Sequence, residues 1–178
     1  MSTMAVWDGT EPEVEAHTGA GVGQRAPDFA LPVHSGGWLR LWDMIGRKAV
    51  VLFFYPKDGT PGCIREVRAF RDRYSEFLEL GAEVVGVSGD PIGVHRRFAG
   101  RLHLPFLLLS DDFGLVTGLY QVERTLGLVP GRATFVIDRN GVIRHRFVSQ
   151  FAPSRHVDEA LMALRAVDAP ANSAPSGQ

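Results

Sequence analysis

A single cysteine stands in the 178-residue chain, and it follows Thr60-Pro61-Gly62 where the spacing of apolar residues turns helical. Proline is favoured at a first helical position, where its missing N–H goes unnoticed. Thr60 suits the N-cap, its side-chain oxygen accepting a first-turn N–H. Cys63 is therefore expected in the first turn of a helix, beside unpaired backbone N–H groups and the partial positive charge of the helix end. That setting favours the thiolate, which is the nucleophilic form of cysteine. Glu66, in the following turn, falls on the same side. A plainer reading stands beside this one: a lone cysteine is commonly a small buried hydrophobe, Thr60 a cap and nothing more, and Glu66 a solvated helix residue.

The remaining candidates for chemistry are weaker. His17, His34, His95, His103, His145 and His156 show no metal-ligand spacing. Asp111 and Asp112 are adjacent, so they point apart, and they precede Gly114 as a turn does. Gly19 to Gly23 has no strand before it and no Lys-Ser/Thr after it, so it is not a phosphate loop. No metal and no cofactor is expected.

The elements that must position Cys63 follow from hydrophobic periodicity. Ala49 to Tyr55 is a continuous apolar run, the pattern of a strand covered on both faces. Pro56 ends it. From Pro61 to Leu80 the residues Ile64, Val67, Phe70, Tyr74, Phe77 and Leu78 recur at helical steps, and Gly81 stops the helix. Strands are expected at Glu83 to Ser88, Phe106 to Leu109, Ala133 to Ile137 and Val142 to Val148. Helices are expected from Pro91 to Leu102, from Gly114 to about Tyr120 and from Arg155 to Ala166. Asp138-Arg139-Asn140-Gly141 predicts a hairpin between the last two strands. Alternating strands and helices imply a mostly parallel sheet with helices on both faces, and the hairpin makes it mixed. In such sheets ligands gather beyond the carboxyl ends of the strands, which is where Cys63 falls. Trp38 and Trp42 are expected in the core.

Composition sets the outer limits. Hydrophobic residues make up 45% of the chain and charged residues 22%, the balance of a soluble globular domain. With a net charge of −1 and no basic run, neither nucleic acid nor membrane has an electrostatic claim on it. No apolar run approaches the roughly 18 residues of a membrane span. The acidic start lacks the pattern of a secretory signal, so a cytoplasmic protein is expected. One cysteine allows no internal disulfide. Residues 1–23 and 167–178 are expected to be flexible tails around one domain over 24–166.

The segment Phe54-Tyr55-Pro56-Lys57-Asp58-Gly59-Thr60-Pro61-Gly62-Cys63 resembles the active-site segment of the peroxiredoxins, nearest to the peroxiredoxin Q or bacterioferritin comigratory protein subfamily. Pro56, Thr60 and Cys63 match the family signature. Gly131 to Asp138 resembles the strand that bears the family's active-site arginine, and Arg25-Ala26-Pro27-Asp28-Phe29 extends the likeness towards the start. The resemblance implies a thioredoxin-like peroxiredoxin fold and a thiol peroxidase. Cys63 would attack hydrogen peroxide or an organic hydroperoxide and become a sulfenic acid. Thr60 would hydrogen-bond the peroxide, Pro56 would shield the sulfur, Arg132 would lie against the thiolate, and Glu66 would orient Arg132.

One departure is plain. Many relatives carry a second, resolving cysteine where this chain has Arg68. The cycle would then need an external thiol, from a thioredoxin- or glutaredoxin-type protein or a small molecule, or Cys63 of a second chain. Three readings stay open: a one-cysteine peroxidase, a peroxide sensor or redox-regulated binding protein that turns over little, and a disulfide reductase of the wider thioredoxin-like class, for which a C-x-x-C is missing. The expected state is a monomer or weak homodimer.

Overall fold

A computed structural model describes residues 20–124 and 131–168. Five strands build the central sheet: β3 (Ala49–Phe54), β4 (Ala82–Ser88), β5 (Leu107–Ser110), β6 (Ala133–Ile137) and β7 (Ile143–Val148). Before them, β1 (Ala30–Pro32) and β2 (Trp38–Arg40) form a separate antiparallel hairpin, followed by a 3-10 turn over Leu41–Asp43. The helices are α1 (Pro61–Asp72), α2 (Tyr74–Glu79), α3 (Ile92–Leu102), α4 (Leu115–Leu119) and α5 (Arg155–Asp168).

The sheet order is β5-β4-β3-β6-β7. The pairs β3–β4 and β4–β5 are parallel, while β6 runs antiparallel to both β3 and β7. The mixed sheet thus arises from the closing hairpin, as the turn at Asp138 to Gly141 implies. Every residue of β3 is buried, because its two faces feed two cores. Val51, Phe53 and the following Tyr55 join one cluster; Val50, Leu52 and Phe54 join the other. This is the period-2 alternation of a strand.

The two faces are covered unequally. On one, α1, α2, α3 and α5 pack with Val67, Phe70, Phe77, Phe98, Leu102, Leu161 and Leu164 inside. Phe53 stacks on Phe70 at 4.4 Å between ring centroids and meets Phe106 edge-on at 5.9 Å. The other face is closed by α4 and by the segment around the β1–β2 hairpin, through Phe29, Leu31, Val33, Leu41, Val116 and Tyr120.

Several expectations need correction. The long helix over Pro61 to Leu80 is broken at Arg73, whose φ of −114° and ψ of 15° lie outside the helical region. The kink leaves Phe70 and Phe77 both fully buried. Trp38 is 72% exposed, on a hairpin strand whose outer face carries no layer among the described residues. Trp42 is partly buried against the second core, with the Arg25 guanidinium 3.9 Å from its ring centroid. The domain also takes in residues before 24: Ala20 is buried and the Gly23 N–H donates to the Ile143 carbonyl at 2.7 Å. At the other end α5 runs to Asp168. The expected tails otherwise lie outside the described residues.

Candidate active site

Strand register creates the site. In the antiparallel β3–β6 pair, Phe54 at the end of β3 faces Ala133 at the start of β6. The loop from Pro56 to Thr60 leaves β3 at the same edge where Arg132 enters β6, so α1 begins beneath Arg132. The Nη2 of Arg132 donates to the Cys63 sulfur at 3.4 Å, and Nη1 donates to Glu66 Oε2. Cys63, Glu66 and Arg132 are all buried. The two α1 residues lie one turn apart, as their spacing requires, and a single guanidinium spans both. Gly62 makes room for it: a Cβ there would stand 3.2 Å from Arg132 Nη2. Gly59 turns the loop with φ +81°, a conformation side chains rarely adopt.

Of the residues expected from sequence, the structure joins Cys63, Glu66 and Arg132 by direct contact. Pro56 follows β3 half-buried, and Thr60 occupies the N-cap position of α1. The capping role expected of the Thr60 side chain is not borne out. Its hydroxyl donates backwards to the Lys57 carbonyl at 3.1 Å, and no side-chain cap is made. Only its carbonyl enters the helix, accepting from the Ile64 N–H at 2.9 Å. A hydroxyl with its donor occupied still has lone pairs to offer. Arg68, at the position of a resolving cysteine, is exposed.

Sequence reasoning missed two buried polar groups beside this triad. The first ties the loop down. Asp58 Oδ1 accepts from the Tyr55 hydroxyl at 2.7 Å, its Oδ2 lies 2.7 Å from His95 Nδ1, and its N–H donates to Asp90 Oδ2 at 2.8 Å. Ser88 also donates to Asp90 Oδ2, at 2.7 Å. Asp58, Asp90 and His95 are near enough to face one cation. Their polar atoms are instead engaged with each other, which makes the cluster a clamp between the loop and α3. Burial and Asp58 together push the Tyr55 hydroxyl well above its ordinary range, so it remains a donor.

The second group lies behind Arg132. Thr134, on the same face of β6, has its hydroxyl 2.8 Å from His156 Nδ1, and His156 Nε2 lies 2.9 Å from the Ser149 carbonyl oxygen. His156 Nδ1 also stands 3.7 Å from Glu66 Oε1. A usable signal existed for both histidines. His95 sits on the stripe of Phe98, Ala99 and Leu102, and His156 on that of Ala160 and Leu164. A histidine on a helix's apolar stripe is buried, and a buried ring needs polar partners.

A cavity of about 810 Å³ opens at the opposite end of the sheet, near Asp138, Arg144, His145 and Met162. Arg144 pairs there with Asp138 at 2.5 Å, and His145 Nε2 lies 3.1 Å from Glu159 Oε2. It does not compete with Cys63 as a reactive centre.

A buried cysteine at a helix start, under a guanidinium on a mixed thioredoxin-like sheet, defines a thiol-based oxidoreductase. The comparisons with known proteins narrow that class. The chain matches the AhpC/TSA family over residues 22–146. It is 46% identical over 145 residues to the chloroplastic peroxiredoxin Q of Arabidopsis thaliana, covering 81% of this chain and 67% of that protein. With the Populus jackii chloroplastic peroxiredoxin Q it shares 44% over 146 residues, covering 82% and 68%. The crystal structure of peroxidoxin BcpB from Mycobacterium tuberculosis superposes with a TM-score of 0.76 at 40% identity, over 82% of this chain and 97% of that one. The Xanthomonas campestris peroxiredoxin Q gives 0.72 at 28% identity, over 78% and 90%. The chain belongs to the AhpC/TSA peroxiredoxin family, on its peroxiredoxin Q/bacterioferritin comigratory protein side, and is a thiol peroxidase.

Proposed function

We propose that this peroxidase reduces hydrogen peroxide and organic hydroperoxides at Cys63 and returns to its thiol with an external reductant. The observation that carries the reading is the 3.4 Å contact between Arg132 Nη2 and the sulfur of the chain's one cysteine. The Cys63 thiolate attacks one peroxide oxygen, the O–O bond breaks, and the departing oxygen takes a proton to leave as water or an alcohol. Cys63 becomes a sulfenic acid. Arg132 is the electrophilic partner: its Nε has no hydrogen-bond partner among the described residues, which leaves a buried donor for a peroxide oxygen. Glu66 fixes the guanidinium plane, Thr60 offers its hydroxyl to the peroxide, and Pro56 limits water at the sulfur.

One cysteine allows no internal disulfide, so resolution in this reading comes from outside the chain. An external thiol attacks the sulfenic acid, releasing water and forming a mixed disulfide, and a second thiol frees Cys63. Since Cys63 is fully buried, the mixed disulfide requires the first turn of α1 to open. A small thiol needs less opening than the Cys63 of a second folded chain.

Turnover with excess thiol tests the whole scheme. The wild-type protein is expected to consume many equivalents of peroxide, and C63S none, with its fold intact by circular dichroism. Peroxide consumption by C63S refutes Cys63 as the nucleophile. Arrest after one equivalent with every thiol supplied favours a sensor that signals through oxidised Cys63. After one equivalent of peroxide and a small thiol, intact mass spectrometry should find monomer carrying that thiol. A covalent dimer in its place refutes external resolution.

A further inference from the structure

Glu66 Oε1 is buried and has no hydrogen-bond partner, although Oε2 of the same carboxyl accepts from Arg132. An ionised carboxylate is poorly served by such a place, since half its charge lies on an oxygen that no donor meets. His156 Nδ1 stands 3.7 Å from that oxygen. The other ring nitrogen, Nε2, lies 2.9 Å from the Ser149 carbonyl, which can only accept, so Nε2 carries a hydrogen. In a neutral ring Nδ1 is then a bare lone pair. The Thr134 hydroxyl, 2.8 Å from Nδ1, can rotate to donate to it or accept from it. Without an added proton, Oε1 meets no donor, and the hydrogen nearest to Nδ1 is that of the Thr134 hydroxyl.

The geometry points to Glu66 and His156 as a proton-holding pair: one proton is kept between Glu66 Oε1 and His156 Nδ1 at neutral pH, and this leaves the charge of Arg132 to act on Cys63. The separation exceeds a hydrogen bond, and the terminal carboxyl torsion of Glu66 is a soft one. The groups facing the pair are Cys63 on α1, Arg132 just before β6, Thr134 on β6, Phe147 on β7 with its ring centroid 4.8 Å from that of His156, and Glu159 on α5. Burial raises Glu66 to about 8 even against the pull of Arg132. Burial, with a smaller push from Arg132, lowers His156 to about 4. The proton therefore resides chiefly on Glu66, although the titration steps belong to the pair.

The consequence lies at the sulfur. Were Glu66 ionised, it would neutralise Arg132, and the thiolate would face an ion pair of no net charge. With the proton in place, Glu66 still accepts from Arg132 through Oε2 and fixes its orientation, yet one positive charge meets one negative charge. His156 is thus a positioning residue, acting through Glu66. This consequence rests on the peroxidase reading; the proton itself does not.

Infrared spectra of the reduced wild-type protein, compared with E66Q, read the proton directly. The expected result is the carbonyl stretch of a buried neutral carboxyl at neutral pH, absent in E66Q and lost as pH rises through about 8. Nitrogen spectra of the histidine rings report whether Nδ1 of His156 shares it. A proton on either atom supports the pair; a carboxylate together with an unprotonated Nδ1 at neutral pH overturns it. In function, Cys63 oxidation by hydrogen peroxide should slow roughly tenfold as the pair loses its proton, about one unit's worth of protonation free energy. E66Q, uncharged at every pH, should lack that fall. The same fall in E66Q overturns the link to Cys63. A protein that shows the proton but consumes no peroxide sinks the peroxidase reading and leaves the pair standing.

Discussion

The proton pair has a thermodynamic signature in the pH dependence of folding. Glu66 is raised in the folded state from 4.5 to about 8, so its contribution to stability is full below 4.5 and is lost as pH rises through 8. His156 is lowered from 6.5 to about 4, so its contribution is full above 6.5 and is lost as pH falls through 4. Between 4.5 and 6.5 the two slopes oppose and cancel, because folded and unfolded chains each hold one proton on these residues. From 6.5 to about 8 only the folded chain holds it, and stability must fall as pH rises. Each unit contributes about 1.4 kcal/mol, so this window of about 1.5 units amounts to roughly 2 kcal/mol. Urea unfolding of the reduced wild-type protein and of E66Q, at steps across this window, compares a chain that can hold this proton on Glu66 with one that cannot. The glutamine keeps an oxygen for Arg132 and supplies a donor towards His156. Subtracting the E66Q curve from the wild-type curve should give a decline of that size. Parallel curves would refute the reasoning, whatever the activity of either protein.

Other perturbations reach different links of the chain. Arg132→Ala should slow Cys63 oxidation by about 10²-fold or more, the scale for losing a charged donor to the transition state, measured by stopped-flow mixing with peroxide. Arg132→Lys should recover little of it, because a single ammonium cannot span Glu66 and the sulfur as the guanidinium does; full recovery would reduce Arg132 to a point charge. Asp58→Ala removes bonds to Tyr55 and His95 and should destabilise the fold by about 1.5–3 kcal/mol, as for loss of a charged hydrogen bond. It should also raise the KM for peroxide through the loop that carries Thr60, and an unchanged KM would make the clamp purely structural. Phe70→Ala should lower unfolding stability by about 3–5 kcal/mol, since it removes the ring stacked on Phe53.

The parts of this molecule that were legible in its sequence are those dictated by period and local chemistry. The six buried residues of β3 announce a strand covered on both sides, and Pro61 with the apolar steps after it announces α1. The β1–β2 hairpin escaped notice because its strands are three residues long and carry few buried side chains, too short for a period-2 pattern. The Arg73 kink escaped because the apolar spacing runs through it, and neither proline nor glycine marks the break. Thr60 is legible only in part: the residue type fits a cap, but the loop turns its hydroxyl back to Lys57.

The site divides in the same way. Cys63 and Glu66 are neighbours in one helix, so their proximity was readable from spacing. Arg132 is 69 positions from Cys63 and reaches it only through the β3–β6 register, which composition and periodicity do not encode. Resemblance to a family supplied what spacing could not. His95 and His156 show where both kinds of reading stop. Each lies on the apolar stripe of its helix, so burial was foreseeable, but the partners are 37 positions away at Asp58 and 22 at Thr134. Buried polar groups specify each other across the fold, and a chain with one cysteine relies on them to set both the charge beside that sulfur and the posture of the loop before it.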